Sequence, residues 1–389
     1  MRSSRSALYA MMITLGLSAL PFGTYAAAPA PLFVPTDAPV APRAQEQKPQ
    51  IEVVFVLDTT GSMSGLIEGA KKKIWSIASR IAQGTPTPHL RVGLVGYRDR
   101  GDAYITQRFD LTDNLDQVFE DLSGFQAAGG GDTPEHVGQA LGEAVKLFSW
   151  SQDKRTLKMI FVVGDAPPQQ YGDGWDYRDW AKRSITQGIM VNTVRCGGDP
   201  TTETAFREIA NLADGQFVSI DGTGGMMASA TPYDDEIARV AREISDTAVY
   251  AGRAPARGKA EEKKRVLAAM ESEAAADRAG YMAKAGGSAA PAAPVAGARD
   301  LVAEEPAAAS SVSADELPDD LKGLSAEQRK AKLAALKTKR AELERELARL
   351  NRQREEHIVK HAAEKEDSFD GAVMKEVRSK AAKIGVTYK

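Results

Sequence analysis

The stretch Ile51–Ser64, IEVVFVLDTTGSMS, constrains the fold more than any other part of the chain. Its apolar run Val53-Val54-Phe55-Val56-Leu57 shows no polar alternation, the pattern of a strand buried on both faces of a parallel sheet. The run stops at Asp58, and a helical pattern starts a few residues later. Open parallel sheets place their ligand sites at the carboxyl ends of such strands. Asp58 stands at that end. Thr60 and Ser62 follow at alternate positions, on a turn where Gly61 permits unusual backbone angles. Three hard oxygen side chains therefore converge on one small volume, a candidate site for Mg²⁺, with Mn²⁺ and Ca²⁺ as further options.

Strand and helix patterns alternate from there. Ala70, Ile74, Ile77 and Ile81 recur at helical spacing after Leu66, and Leu90–Tyr97 reads as a second strand. Arg98–Ala103 is a polar turn, and Tyr104–Leu111 predicts a strand returning antiparallel. A short helix over Leu115–Leu122 leads to the loop AAGGGDTP, then to a helix over Glu135–Phe148. The apolar strand Leu157–Val163 ends in Gly164-Asp165. Strands Ile189–Val194 and Gln216–Ile220, with helices over Thr202–Leu212 and Tyr233–Val249, complete the pattern. The class this predicts is α/β: a doubly wound, mostly parallel sheet with one antiparallel edge strand, helices on both faces, and a helical C-terminal tail. Following the direction of each element brings Asp58, Thr60, Ser62, Thr133 and Asp165 to one rim. The turn Arg98–Ala103 and the loop PPQQYGDGWDYRDW flank that rim, which makes Arg98, Tyr171, Trp175 and Tyr177 candidate partner-binding residues. The alternative is that the aromatic side chains pack their own loop down.

Outside this domain, taken as residues 51–250, the composition changes. Arg2 and Arg5, the apolar stretch Ala7–Leu20 and the small residues of Thr24-Tyr25-Ala26 predict a signal peptide over 1–26 and a periplasmic or secreted protein. No later segment is long and apolar enough to span a bilayer. Residues 27–50 form a Pro/Ala-rich linker. Residues 251–320 predict an Ala/Pro-rich, largely disordered linker with a helical stretch over Lys259–Met282. In 321–389, Ser325 and Gln328 stand in capping-box positions. Leu336, Leu343 and Leu350 recur every seven residues, Leu333 and Leu347 fill half-steps, and Arg340 and Arg354 interrupt others. The pattern fits a short coiled coil, and so a homo-oligomer through this helix, or a helical hairpin, or a single solvated helix. With 50 basic against 53 acidic residues, nothing in the net charge points to nucleic acid. Cys196 is the only cysteine, so no internal disulfide forms; it reads as a small buried residue.

At the rim residues the chain resembles the von Willebrand factor type A family with its metal-ion-dependent adhesion site. The first motif of that site, Asp-x-Ser-x-Ser, reads here Asp58-Thr59-Thr60-Gly61-Ser62; the separate threonine matches Thr133 in GGGDTPE; the later aspartate matches Asp165 in VVGDAPP. The resemblance implies that Thr60 and Ser62 bind the metal directly. It implies that Asp58 and Asp165 act largely through water, with Thr133 direct or water-bridged. It also implies a partner protein presenting Asp or Glu, and no catalysis. The rival is a haloacid-dehalogenase-type phosphatase phosphorylated on Asp58. Thr60 replaces that family's second aspartate and Gln169 a later acid, which weighs against it. A third reading makes the metal site vestigial and the C-terminal helices the working part. Arg100-Gly101-Asp102, an adhesive tripeptide in other settings, reads as coincidence. His136 reads as a surface or capping residue, and His357 with His361 as part of a solvated helix face.

Overall fold

The computed structural model describes residues 48–131, 133–220, 230–285, 295–304, 312–361 and 369–388, so the predicted signal peptide and all but the end of the predicted first linker lie outside the described residues. The described residues belong to one compact unit, Gln47–Lys389. Among them, β1 (Gln50–Asp58), β2 (His89–Tyr97), β3 (Thr106–Thr112), β4 (Thr156–Gly164), β5 (Ile189–Cys196) and β6 (Phe217–Ile220) form a sheet in the order β3-β2-β1-β4-β5-β6. β3 is the antiparallel strand at one edge; the other pairings are parallel. This is the doubly wound architecture that the alternating pattern predicts.

The centre of the sheet shows why a continuous apolar run was needed. Side chains alternate across a strand. Ile51, Val53, Phe55 and Leu57 of β1, with Leu157, Met159, Phe161 and Val163 of β4, face one core. Val54 and Val56, with Ile160 and Val162, face the other. The first core is covered by α1 (Ser64–Ile81) and α2 (Leu115–Gly124), the second by α3 (Val137–Lys146), α4 (Tyr177–Thr186) and α5 (Pro200–Leu212). β1 is consequently buried along almost its whole length, and its last residue, Asp58, is as deep as its apolar ones.

In the segment read as a largely disordered linker, the helical stretch expected over Lys259–Met282 is present as α7 (Ala254–Ala268) and α8 (Ser272–Ala285). What differs from expectation is β8 (Ala298–Asp300), which pairs antiparallel with β7 (Tyr250–Gly252). α8 packs between α1 and α6 (Asp234–Asp246). Ala274, Ala276 and Ala279 are buried there, so the alanines that suggest low complexity are contact residues that let backbones approach. Its Arg278 forks onto buried Asp116 of α2 at 2.6 and 2.9 Å.

The heptad leucines are packed within the chain, not solvated. The helix Ala326–His361 opens with the predicted capping box, Ser325 N to Gln328 Oε1 at 2.9 Å and Gln328 N to Ser325 Oγ at 3.3 Å. Leu343, Leu347 and Leu350 then pack on Ile237, Val240 and Ile244 of α6 and Ala276 and Ala279 of α8. Leu333 and Leu336 join a neighbouring cluster. The seam is filled by helices of the same chain. Arg340 and Arg354 are buried parts of the same contact. Arg340 reaches Asp300 at 2.7 Å and Thr247 Oγ1 at 2.7 Å; Arg354 reaches Asp234 at 2.6 Å and Asp277 at 2.8 Å. The C-terminal helix Phe369–Ala381 adds Val373, Met374 and Val377 to the first core, and Thr387 pairs with Thr85 beyond α1. Among the described residues no helix is long and apolar enough to cross a membrane.

Removing one partner of a buried ion pair strands the other charge. Arg354→Ala should therefore destabilise the full chain by about 3 kcal/mol in urea unfolding followed by circular dichroism. Arg345→Ala, on the exposed face of the same helix, should stay within about 0.5 kcal/mol. Equal effects would show that the arginine contact does not dock this helix.

Candidate metal centre

Asp58 closes β1 opposite Tyr97 of β2, one step beyond the Leu57–Val163 pair with β4. That register places Gly164 beside it. A Cβ at Gly164 would lie 2.3 Å from the Tyr97 hydroxyl and 3.3 Å from Asp58 Oδ2, so the glycine makes room for the Tyr97 hydroxyl next to the carboxylate. The Tyr97 hydroxyl itself donates to the Val163 carbonyl at 3.2 Å.

Asp58 has no solvent exposure. Its Oδ1 accepts from Thr60 N at 2.9 Å and from Thr60 Oγ1 at 2.6 Å. Thr60 Oγ1 lies 3.2 Å from Ser62 Oγ, which is on the exposed side of the turn. The three residues of the first motif thus form one hydrogen-bonded chain from the buried strand end to the surface. The other oxygen, Asp58 Oδ2, is buried without a hydrogen-bond partner among the described residues. Burial pushes the Asp58 carboxyl up to about 7, and the charge of Asp165 adds to this; the Thr60 hydrogen bonds and the Arg98 charge act in the opposite direction. A buried carboxylate with a free oxygen and a like charge beside it is costly unless something neutralises it.

Asp165 follows β4 and is half-buried, with its carbonyl accepting from Thr202 Oγ1 of α5 at 3.1 Å. Thr133 is exposed, and its segment rather than its side chain makes the link to the others. Two residues on, buried Glu135 donates from its N–H to the Pro167 carbonyl at 3.0 Å and accepts from Gln169 N at 2.7 Å. The Thr133 segment is thereby stitched to the loop that follows Asp165. On the other side, Gly61 N donates to the Gly129 carbonyl at 3.2 Å, and a Cβ at Gly130 would lie 2.9 Å from Thr60 Cβ. The structure therefore joins Asp58, Thr60 and Ser62 directly, sets Asp165 against Asp58 electrostatically, and brings Thr133 in through the backbone.

The predicted partner-binding rim needs correction. Arg98 is only 5% exposed and donates to the carbonyls of Thr59 and Gln126. Tyr177 is buried on α4, its hydroxyl on Glu208 at 2.9 Å. Trp175 stacks on Trp180 with ring centroids 5.4 Å apart and fills a notch in α3, where a Cβ at Gly142 would come within 2.5 Å of its ring. Tyr171, half-buried, donates to Asp99 Oδ2 at 2.6 Å beneath the Arg100 guanidinium. These side chains pack the loop down. Arg100 also pairs with Asp173, and Asp102 accepts from the N–H groups of Asp99 and Gly130, so the tripeptide is engaged internally. His136 does cap α3, accepting from Gln139 N at 3.4 Å, but it is buried rather than on the surface. His357 lies against the Tyr233 ring.

Two residue groups escaped the reading from sequence: the Gly129–Gly130 shelf under Thr60, and Arg98 as a buried contact. The run of three glycines was the available signal for the first. The second had none, because its acceptors lie 39 and 28 residues away.

The donor set fits a hard divalent cation. It offers two carboxylates and neutral hydroxyls and no sulfur or imidazole. No three His, Cys, Asp or Glu side chains among the described residues converge on a metal position, so a cation here depends on the hydroxyls. A raised carboxyl stabilises the fold while protonated, and that contribution disappears as pH rises through about 7. In chelator, going from pH 5 to pH 8 should cost the wild type on the order of 2 kcal/mol relative to the Asp58→Asn variant. Magnesium should restore the wild type at pH 8 and leave the variant unmoved. Parallel pH profiles without metal would contradict this.

Residues 52–226 match the von Willebrand factor type A domain model. The von Willebrand factor A domain-containing protein 7 of Rattus norvegicus is 35% identical over 121 residues, 31% of this chain and 12% of its own length. The chain thus spans only about an eighth (12%) of that relative. Among solved structures, the conserved hypothetical protein BatB from Bacteroides thetaiotaomicron aligns at 20% identity and TM-score 0.35, over 44% of this chain and 90% of its own. Proximal thread matrix protein 1 of the mussel byssus, solved with a zinc-occupied MIDAS motif, aligns at 15% identity and TM-score 0.36, over 44% and 42%. Over residues 52–226 the chain carries a von Willebrand factor type A domain.

Proposed function

We propose that this is an exported, non-catalytic binding protein whose type A domain captures an Asp or Glu side chain of a partner protein in a divalent-cation-dependent manner, with Mg²⁺ as the resident ion. The observation that carries the reading is Asp58 Oδ2: buried, without a hydrogen-bond partner among the described residues, and subject to the like charge of Asp165. Asp58, Thr60, Ser62 and Asp165 would hold the ion, with Thr133 completing the set. A divalent cation bound there supplies a positive charge to which a carboxylate oxygen can bind. Thr60 and Ser62 are neutral, so they would leave more of that charge for the ligand than carboxylates in their place would. Asp58 is tied to Thr60 and withdrawn from the surface, so it aligns the hydroxyls instead of meeting the partner.

The same burial weighs against the phosphatase alternative, in which Asp58 would attack a substrate. Its Oδ1 is occupied by two hydrogen bonds and the residue has no exposed surface. The inward-facing leucines weigh against a scaffold that assembles through the long helix.

Affinity capture on immobilised full-length protein tests the proposal. Partners should be retained in magnesium, released by EDTA, and absent from an Asp58→Ala column that retains the wild-type circular dichroism. Retention that ignores both EDTA and the substitution would refute cation-dependent capture. Export is tested separately: the mature N-terminus should begin after Ala26, in the periplasmic or culture fraction.

A further inference from the structure

Arg98 leads the β2–β3 turn, and its guanidinium is buried at the back of the site. Nε donates to the Thr59 carbonyl at 3.1 Å, between the two first-motif residues Asp58 and Thr60. Nη2 donates to the Gln126 carbonyl at 2.8 Å, in the loop that continues to the Gly129–Gly130 shelf under Thr60. Its face covers the Tyr104 ring at 4.3 Å, and the Tyr104 hydroxyl meets Thr59 Oγ1 at 2.8 Å. Its own carbonyl accepts from His136 N at 3.2 Å, at the end of the segment that carries Thr133. One residue therefore touches every strap of the site except the loop of Asp165.

Among the described residues no carboxylate lies within ion-pair distance of Arg98. A buried cation behind a proposed cation site repels the ion it faces. What favours arginine here is shape. A planar fork can bond two carbonyls on different chain segments at once, whereas a lysine nitrogen is a single point.

We infer that Arg98 is a positioning residue of the metal centre: its fork locks the Asp58–Ser62 turn to the Gly129–Gly130 shelf, and cation affinity depends on that lock. The inference rests on the metal-binding reading above. If Arg98 mattered only through its charge, Arg98→Lys, which keeps that charge, would bind the cation as the wild type does. If it mattered only to folding, substitution would lower the thermal midpoint and leave the affinity of the folded protein unchanged.

The test is titration of the full-length chain with Mn²⁺ alone, by calorimetry and by electron paramagnetic resonance of the free ion, for the wild type, Arg98→Lys and Arg98→Met. Both variants are expected to lose about 10- to 100-fold in Mn²⁺ affinity, the usual effect of removing a group that orients a metal ligand, while keeping the wild-type circular dichroism. Arg98→Lys keeps the charge, so it decides the matter even if Arg98→Met does not fold. Wild-type affinity in Arg98→Lys, or tighter binding in Arg98→Met, would overturn the inference. If the wild type itself takes up no Mn²⁺, the metal-binding reading fails first and the inference falls with it.

Discussion

A carboxylate without solvent exposure, one oxygen bound and the other unpaired, sits at the end of the central strand next to a second carboxylate. That arrangement is expensive in a low-dielectric interior, and its surroundings are shaped to sustain it. Gly164 leaves the volume that the Tyr97 hydroxyl occupies next to the Asp58 carboxylate. Thr60 directs both a backbone and a side-chain donor at one oxygen. Arg98 holds the carbonyl between them. The other oxygen meets no hydrogen-bond partner among the described residues and is left for a ligand. A hard cation would meet that requirement, and on the proposed function it would also give the domain a surface charge for an acidic partner.

The site is precise because the strand that carries it cannot slip. β1 is packed on both faces by alternating side chains, so a one-residue shift would exchange the two cores. Its neighbours β2 and β4 run parallel, and both end at the same rim. The loops above add short links: Gly61 to Gly129, Glu135 to Pro167, Gln169 to Glu135. Each joins two of the segments that carry the oxygen donors. The partner-facing surface of such a site is small, because the neighbouring aromatic side chains are already spent on holding their loops.

What could be read from the sequence divides along physical lines. Buried strands and the strand-end aspartates were legible because the signals are local: uniform apolar runs, each ending in a carboxylate. Trp175 and Tyr177 were ambiguous because a rim aromatic and a loop anchor have the same composition; what separates them is the notch at Gly142 and the acceptor Glu208, both remote in sequence. Arg98 looked like a turn residue because its acceptors are brought to it only by the fold. In the C-terminal part, the leucine period correctly marked an apolar seam, yet a heptad carries no information about which helix fills it. Here α6 and α8 do, and alanines that look like linker composition are the close-packing side of that contact. The arginines that appeared to interrupt the seam instead bind aspartates of α6, α8 and β8, so buried ion pairs specify where the helix docks.

The central claim, that Asp58, Thr60, Ser62 and Asp165 share one divalent ion, is tested most directly by anomalous diffraction from crystals grown with manganese. The account predicts a strong peak at the rim, bonded to Thr60 and Ser62 Oγ and next to the Asp58 and Asp165 carboxylates. A rim without anomalous density at saturating manganese, or a peak bound elsewhere on the protein, would contradict it.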